Sequence, residues 1–326
     1  VTRIAITSGD PDGIGTEVTS KALTRLKDRK DIIFYVFRSK RCPRADLQRI
    51  DRAMDRIEVN SWADALKAPA RPGQLVDVQL STAAASWVET AAQACLFGHL
   101  DALVTGPLSK TSIAQSGLKD LGHTGILKRV AKADHVHMGF IGEKFSVLLA
   151  TGHVPIADVE GLLTVKSLGS AVSAANHLRQ LLDKRISGRP LALLGLNPHS
   201  GEDGLIGGLE QKVHSVVLAK ARAKKIPIEG PLVPDVAFDP GQWKIHSVFV
   251  ANYHDQGLIP FKMIHGQHSG IHITMGLPFV RTSVDHGTAK DIFGRDRADH
   301  RSMLQAIEWA DRLARNQISV SEEDYV

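Results

Sequence analysis

Only two cysteines, Cys42 and Cys95, occur in the 326 residues of this chain. Two thiols make neither a disulfide framework nor a thiolate-rich metal centre, and such sparing use suits a reducing cytosol. No apolar run approaches the roughly 18 residues that a membrane span requires. The first residues enter a strand-like segment with no apolar signal stretch before it, so the expected compartment is the cytoplasm. Dense basic tracts are missing as well: 40 lysines and arginines against 35 acidic residues leave a dispersed formal charge of +5. That balance argues against nucleic acid as a partner and suits a small anionic substrate. Internal repeats, low-complexity tracts and obvious linkers are also lacking.

The ordinary dinucleotide fingerprint is a further absence. The loop Gly9-Asp10-Pro11-Asp12-Gly13-Ile14-Gly15-Thr16-Glu17 does not match GxGxxG. The second strand, 32–37, runs into Arg38-Ser39-Lys40 instead of ending on an acidic residue. A Rossmann-type site is therefore not expected.

What is present belongs to an ordinary globular protein, 43% hydrophobic and 23% charged, long enough for two domains. Short apolar runs at 3–7, 32–37, 101–105, 190–196 and 247–251 predict buried strands. Those at 136–141 and 145–150 predict a strand pair. Helical spacing covers 16–27, 81–97, 165–184, 209–224 and 301–315, with Ser81 or Thr82 as the N-cap of the second, and shorter helices fall near 109–115 and 125–132. The alternation predicts an α/β fold with a largely parallel sheet.

Polar residues gather where these strands stop. His153 follows the strand at 145–150, His199 the strand at 190–196, and His254 the strand at 247–251. Strand-end loops converge at one edge of an open sheet. Three neutral imidazoles suit zinc or another divalent ion with one position open for a substrate hydroxyl. A histidine that only caps a strand end is the alternative for each. Gly122-His123-Thr124 precedes a helix, where N–H groups and a hydroxyl can hold an anion. Lys110, Lys262 and Arg281 lie beside glycine or strand-end loops and could join them around a phosphate or carboxylate.

Six stretches, GDPDGIGTE, VTGPLSK, GHTG, LNPHSGEDG, YHDQGLIPFK and GLPFVRTSVDHGTAKDI, run in order through the chain. In them the sequence resembles the 4-hydroxythreonine-4-phosphate dehydrogenase family of vitamin B6 biosynthesis, nearly end to end. The resemblance implies two α/β/α domains of the isocitrate/isopropylmalate dehydrogenase-like fold, 1–130 with 280–326 and 131–279. It also implies an active site in the interdomain cleft, shared across a homodimer. It assigns His153, His199 and His254 to one divalent metal ion (Zn, Mg or Co), and His123, Thr124, Lys262 and Arg281 to substrate. NAD, or NADP, is expected along Asp285, His286, Gly287, Thr288, Ala289 and Asp291. The implied reaction oxidises a secondary hydroxyl by hydride transfer, and the resulting 3-oxo acid loses carbon dioxide. Asp235 and Lys110 are the candidate proton acceptors.

The chain departs from the family pattern at several points. His272 stands in place of a substrate-contacting asparagine, with one residue inserted between Lys262 and that point. Gly125 stands where glutamate is usual and Thr16 where proline is usual. These departures bear on the choice of substrate. A dehydrogenase of D-threonate or D-erythronate 4-phosphate is the alternative, and an acyl or phosphoryl transferase of the same fold, or a catalytically dead metabolite sensor, is further off.

Overall fold

The computed structural model describes residues 1–266 and 270–318, in two compact units. Strands are numbered in chain order.

The first unit comprises Val1–Asp134 and, among the described residues, 277–318. Its strands are β1 (Thr2–Thr7), β2 (Ile32–Ser39), β3 (Arg56–Val59), β4 (Leu75–Leu80), β5 (Ala102–Thr105) and β12 (Val280–Ser283). They lie in the order β3-β4-β2-β1-β5-β12, and every pairing is parallel. The helix Ala84–Leu96 packs on β1, β2 and β5, and the helix Arg301–Ile318 on β1, β5 and β12. Ile4, Ile6, Phe34, Phe37, Leu75 and Trp87 are fully buried between these elements. A strand covered by helices has no polar face, which is why β1, β2 and β5 show as continuous apolar runs.

The second unit, His135–Gly276, has β6 (His137–Gly142), β7 (Ser146–Leu149), β8 (Leu191–Leu194), β9 (Ile228–Leu232), β10 (Val248–Ala251) and β11 (Gly270–Met275). Their order is β11-β6-β7-β10-β8-β9. The β11–β6 and β6–β7 pairs are antiparallel, and the remaining pairs are parallel. Phe145 anchors an aromatic cluster, with ring centroids 5.3 Å from Phe238 and Trp243 and 5.6 Å from Phe249. The core continues through Val147, Leu149, Leu258 and Phe261. No helix among the described residues is long and apolar enough to cross a membrane.

Two local expectations are corrected. The helix expected from residue 81 starts at Ala84, capped by Ala83 without a side-chain bond. Thr82 instead offers its carbonyl to the indole N–H of the buried Trp87, at 3.1 Å. The helix expected over 209–224 opens as a wide π-turn, Glu210–His214, before the α-helix Ser215–Ala223.

Candidate active site

The glycine loop after β1 has a packing reason for its composition. A Cβ on Gly9 would lie 2.0 Å from the Pro107 carbonyl oxygen, and one on Gly15 would lie 1.6 Å from that of Ser8. Backbone meets backbone here, so the glycines permit contact with the Thr105-Gly106-Pro107 loop. Across from Gly13, the Thr288 carbonyl accepts the Ile14 N–H at 3.0 Å. Asp10, buried at the base of the loop, accepts the Ser109 N–H at 3.2 Å and pairs with Lys290, also at 3.2 Å. The loop after β5 and the loop after β12 are thus fixed to the same glycine loop.

Between them lies a cavity of about 280 Å³, lined by Gly106, Ser109, His123, Arg281, His286 and Thr288 among others. Arg281 stands on β12 opposite Leu103 of β5, only 2% exposed, and donates to the Thr105 hydroxyl at 2.5 Å. Burial pulls its guanidinium down to about 9. His123 begins the helix His123–Ala131. Burial, with the nearby charge of Arg281, pushes its imidazole down to about 3, against a weaker opposing bond to the Gly106 backbone. At neutral pH the ring is therefore uncharged. The nitrogen that bonds the Gly106 carbonyl carries the hydrogen, so Nε2, buried and without a hydrogen-bond partner, is an acceptor. A buried guanidinium beside an acceptor imidazole suits an anion that bears or adjoins a hydroxyl. His286 adds a second buried Nε2 without a partner.

In the second unit, the loop after β7 brings His153 to His254, the first residue of the helix His254–His265, with ring centroids 5.0 Å apart. Both line a cavity of about 510 Å³ with Tyr253 and Asp255. Asp255 lies 2.6 Å from Nδ1 of His254, which holds the hydrogen on Nδ1 and leaves Nε2 with its lone pair, the form that binds a metal ion. His199, its side chain 68% exposed, lines a separate cavity of about 350 Å³ with Asp235, Tyr253 and Gln256. Among the described residues, no three histidine, cysteine or acidic side chains gather as a metal cluster. One chain thus pairs two of the three expected imidazoles and holds the third apart.

The other sequence-predicted residues are placed as follows. Lys110 is exposed at the start of the helix Lys110–Gln115, and Thr124 lies in the first turn of the helix His123–Ala131. Lys262 is exposed in the last turn of the helix His254–His265. His272 pairs with Phe140 across β11 and β6, rings 5.2 Å apart. Of the stretch between Lys262 and His272 in which an insertion is expected, residues 267–269 lie outside those described. Asp285 and Asp291 are exposed, and Asp285 Oδ1 accepts the Ser302 hydroxyl at 2.6 Å. Sequence reasoning missed Lys290 and Tyr253, and the roles of Asp10 and Glu210. Asp10 and Glu210 are only 1% and 5% exposed, and a carboxylate buried beside a glycine loop was the available signal.

Comparison with known proteins gives the family. The family model described as "Pyridoxal phosphate biosynthetic protein PdxA" matches residues 17–310. The chain belongs to the PdxA family. A PdxA relative in Sulfurihydrogenibium sp., named 4-hydroxythreonine-4-phosphate dehydrogenase, is 36% identical over 96% of this chain and 98% of its own length. The crystal structure of the Klebsiella pneumoniae protein of that name superposes with a TM-score of 0.79 at 29% identity, covering 96% of this chain and all of the other. A β-decarboxylating dehydrogenase from Thermococcus kodakarensis, at 14% identity and a TM-score of 0.54 over 96% of this chain and 84% of its own, shares the fold. The expected isocitrate/isopropylmalate dehydrogenase-like fold is thereby borne out.

The residues present fit both groups that a PdxA dehydrogenase implies. For a divalent ion, two imidazoles face each other and one is oriented by a carboxylate, the usual support of a histidine ligand. For a nicotinamide cofactor, the loop after β12 offers exposed carboxylates at Asp285 and Asp291 as acceptors for ribose hydroxyls. Gly287 there has nothing within 4 Å of an added Cβ, so backbone is open to close approach.

Proposed function

We propose that the protein oxidises the secondary hydroxyl of 4-phosphohydroxy-L-threonine and that the 3-oxo acid formed loses carbon dioxide, giving 3-amino-2-oxopropyl phosphate for pyridoxal phosphate synthesis. The observation that carries this reading is the His153–His254 pair, in a chain whose named relatives are dehydrogenases of that compound.

Arg281 and His123 bind the anionic part of the substrate, Arg281 by charge and His123 by accepting a hydrogen at Nε2. Thr124 and Lys262 are further substrate contacts, and His272 occupies the position that tunes substrate choice. His153, His199 and His254 would hold a divalent ion, which would supply Lewis-acid chemistry at the substrate hydroxyl. The loop Asp285, His286, Gly287, Thr288, Ala289 and Asp291 would hold NAD, which would supply the hydride acceptor. Asp235 is better placed than Lys110 to take the hydroxyl proton, because it shares a cavity with His199.

The full ligand set is completed by a second copy of the chain. In support, one chain pairs only two of the imidazoles, and its second unit exposes large apolar side chains. Ile156 is 68% exposed, Leu205 84% and Met263 78%.

The test is NADH formation from 4-phosphohydroxy-L-threonine by metal-replete protein, after chelation, and after restoring Zn, Mg or Co. Loss on chelation and recovery with metal are expected; activity indifferent to chelation contradicts the metal's role. His199→Ala should lose stoichiometric metal and at least about 100-fold in kcat/KM while remaining folded, since outer ligand supports alone are worth 10–100-fold.

A further inference from the structure

We infer that Glu210, His214, Asn252 and Gln256 form a brace that sets the positions of His199 and His254; this rests on the reading of those histidines as metal ligands.

The segment bearing His199 does not hold its shape on its own propensity. Residues 199–203 all have left-handed backbone, with φ of 51° at His199, 52° at Ser200, 81° at Gly201, 41° at Glu202 and 53° at Asp203. Only one of them is glycine, and each other residue in this region costs roughly 1–2 kcal/mol. Something outside the segment must impose the turn.

Glu210 meets it at the point of entry. Its Oε1 accepts the N–H groups of Leu196 and Asn197 at 2.9 and 2.8 Å, and its Oε2 accepts Nδ2 of Asn197 at 3.1 Å. Burial alone raises its pKa, but these donors outweigh that and hold the carboxyl below its usual value. A Cβ on Gly201 would lie 2.8 Å from Glu210 Oε2, so glycine at that position lets the carboxylate sit against the turn.

His214 closes the same π-turn and is fully buried, its Nε2 2.9 Å from Oδ1 of Asn252. The orientation of Asn252 is fixed because its Nδ2 donates to the Leu194 carbonyl at 2.9 Å and to Gln256 Oε1 at 3.2 Å. Its oxygen is therefore the acceptor, and His214 carries its hydrogen on Nε2. Gln256 Oε1 also accepts the Asn252 N–H at 2.7 Å, and Gln256 Nε2 donates to the Gly195 carbonyl at 2.8 Å. The backbone pairing of β8 with β10 ends at Leu193 and Val250. Beyond that pair, these side chains carry the connection onward to Asn252, two residues before His254, and to the entry of the His199 turn. Glu210 and Asn252 thus act through the histidines they position.

The test is Co²⁺ affinity of the full chain, measured by chelator competition, with the thermal shift produced by inorganic phosphate as a separate readout of the Arg281 cavity. Glu210→Ala and Asn252→Ala should bind Co²⁺ about 10–100-fold more weakly while keeping the phosphate shift. Glu210→Gln, which retains one oxygen for both N–H groups, should recover most of the affinity. Asn252→Asp, the same size without the Nδ2 hydrogens, decides the matter if the alanine variants do not fold. Folded variants with wild-type Co²⁺ affinity would overturn the brace. A wild-type chain that binds no Co²⁺ would instead overturn the metal reading beneath it.

Discussion

Arg281 shows how a single residue can be visible in a sequence while its environment is not. Flanked by Val280 and Thr282, it looks like one of many cations at a strand end. The structure places it in the sheet interior at 2% exposure, with the Thr105 hydroxyl as a partner. Burial disfavours its charge, so an anion entering the cavity gains more from it than from an exposed lysine such as Lys262. Arg281→Met should therefore leave the unliganded protein at least as heat-stable as wild type and abolish the upward shift of its melting temperature by inorganic phosphate. It should also reduce kcat/KM by about 10–100-fold, the worth of a charge-assisted hydrogen bond. A phosphate shift of wild-type size in the variant would remove Arg281 from the anion site. The three strand-end histidines were legible by context, but the distance between two of them and the separateness of the third belong to tertiary geometry.

Elements were legible where burial is uniform and obscure where a polar partner lies elsewhere in the chain. β8 and β10 are apolar throughout. β4 is interrupted by Asp77, which looks like surface but is 1% exposed and held by Arg38 at 2.8 and 2.6 Å and Arg56 at 2.6 Å. The helix His254–His265 contains Gly257 and Pro260, both breakers by propensity. Gly257 is needed there, because a Cβ would lie 2.6 Å from Val147 Cγ1 and 2.8 Å from Leu149 Cδ2. The same reasoning separates two glycines that look alike in the sequence. Gly15→Ala would drive a methyl into the Ser8 carbonyl and should destabilise by about 3 kcal/mol or more. Gly169→Ala, inside the helix Val165–Leu181 with nothing within 4 Å, should stabilise by about 0.5–1 kcal/mol. Denaturant unfolding of both variants checks the pair, and equal effects would contradict the packing described for the first loop.

At the scale of the whole molecule, buried neutral histidines set the acid side of stability. Burial lowers His123 from 6.5 to about 3 and His137 from 6.5 to about 4. Below about pH 6.5 the unfolded chain takes up protons that the folded chain refuses, so stability is complete above that value and declines as the pH falls toward the folded-state values. Asp31 acts lower: the hydrogen bond and charge of Arg29 hold it at about 2, so its contribution is lost only below its ordinary 3.8. The melting temperature should drop by several degrees between about pH 7 and pH 5, and His137→Asn should flatten that slope. An unchanged slope in the variant would assign the effect to other groups.

The family and the α/β architecture could be read from six ordered stretches, whereas the way one chain divides its imidazoles could not, because it arises only when strand ends are set in space. The central claim is the oxidation of 4-phosphohydroxy-L-threonine, and its most direct test is a comparison of kcat/KM for that compound and for D-threonate 4-phosphate, with NADH and carbon dioxide both measured. A clear preference for 4-phosphohydroxy-L-threonine and one carbon dioxide released per NADH formed are expected. A metal-replete enzyme that leaves that compound untouched while oxidising the threonate would contradict the claim.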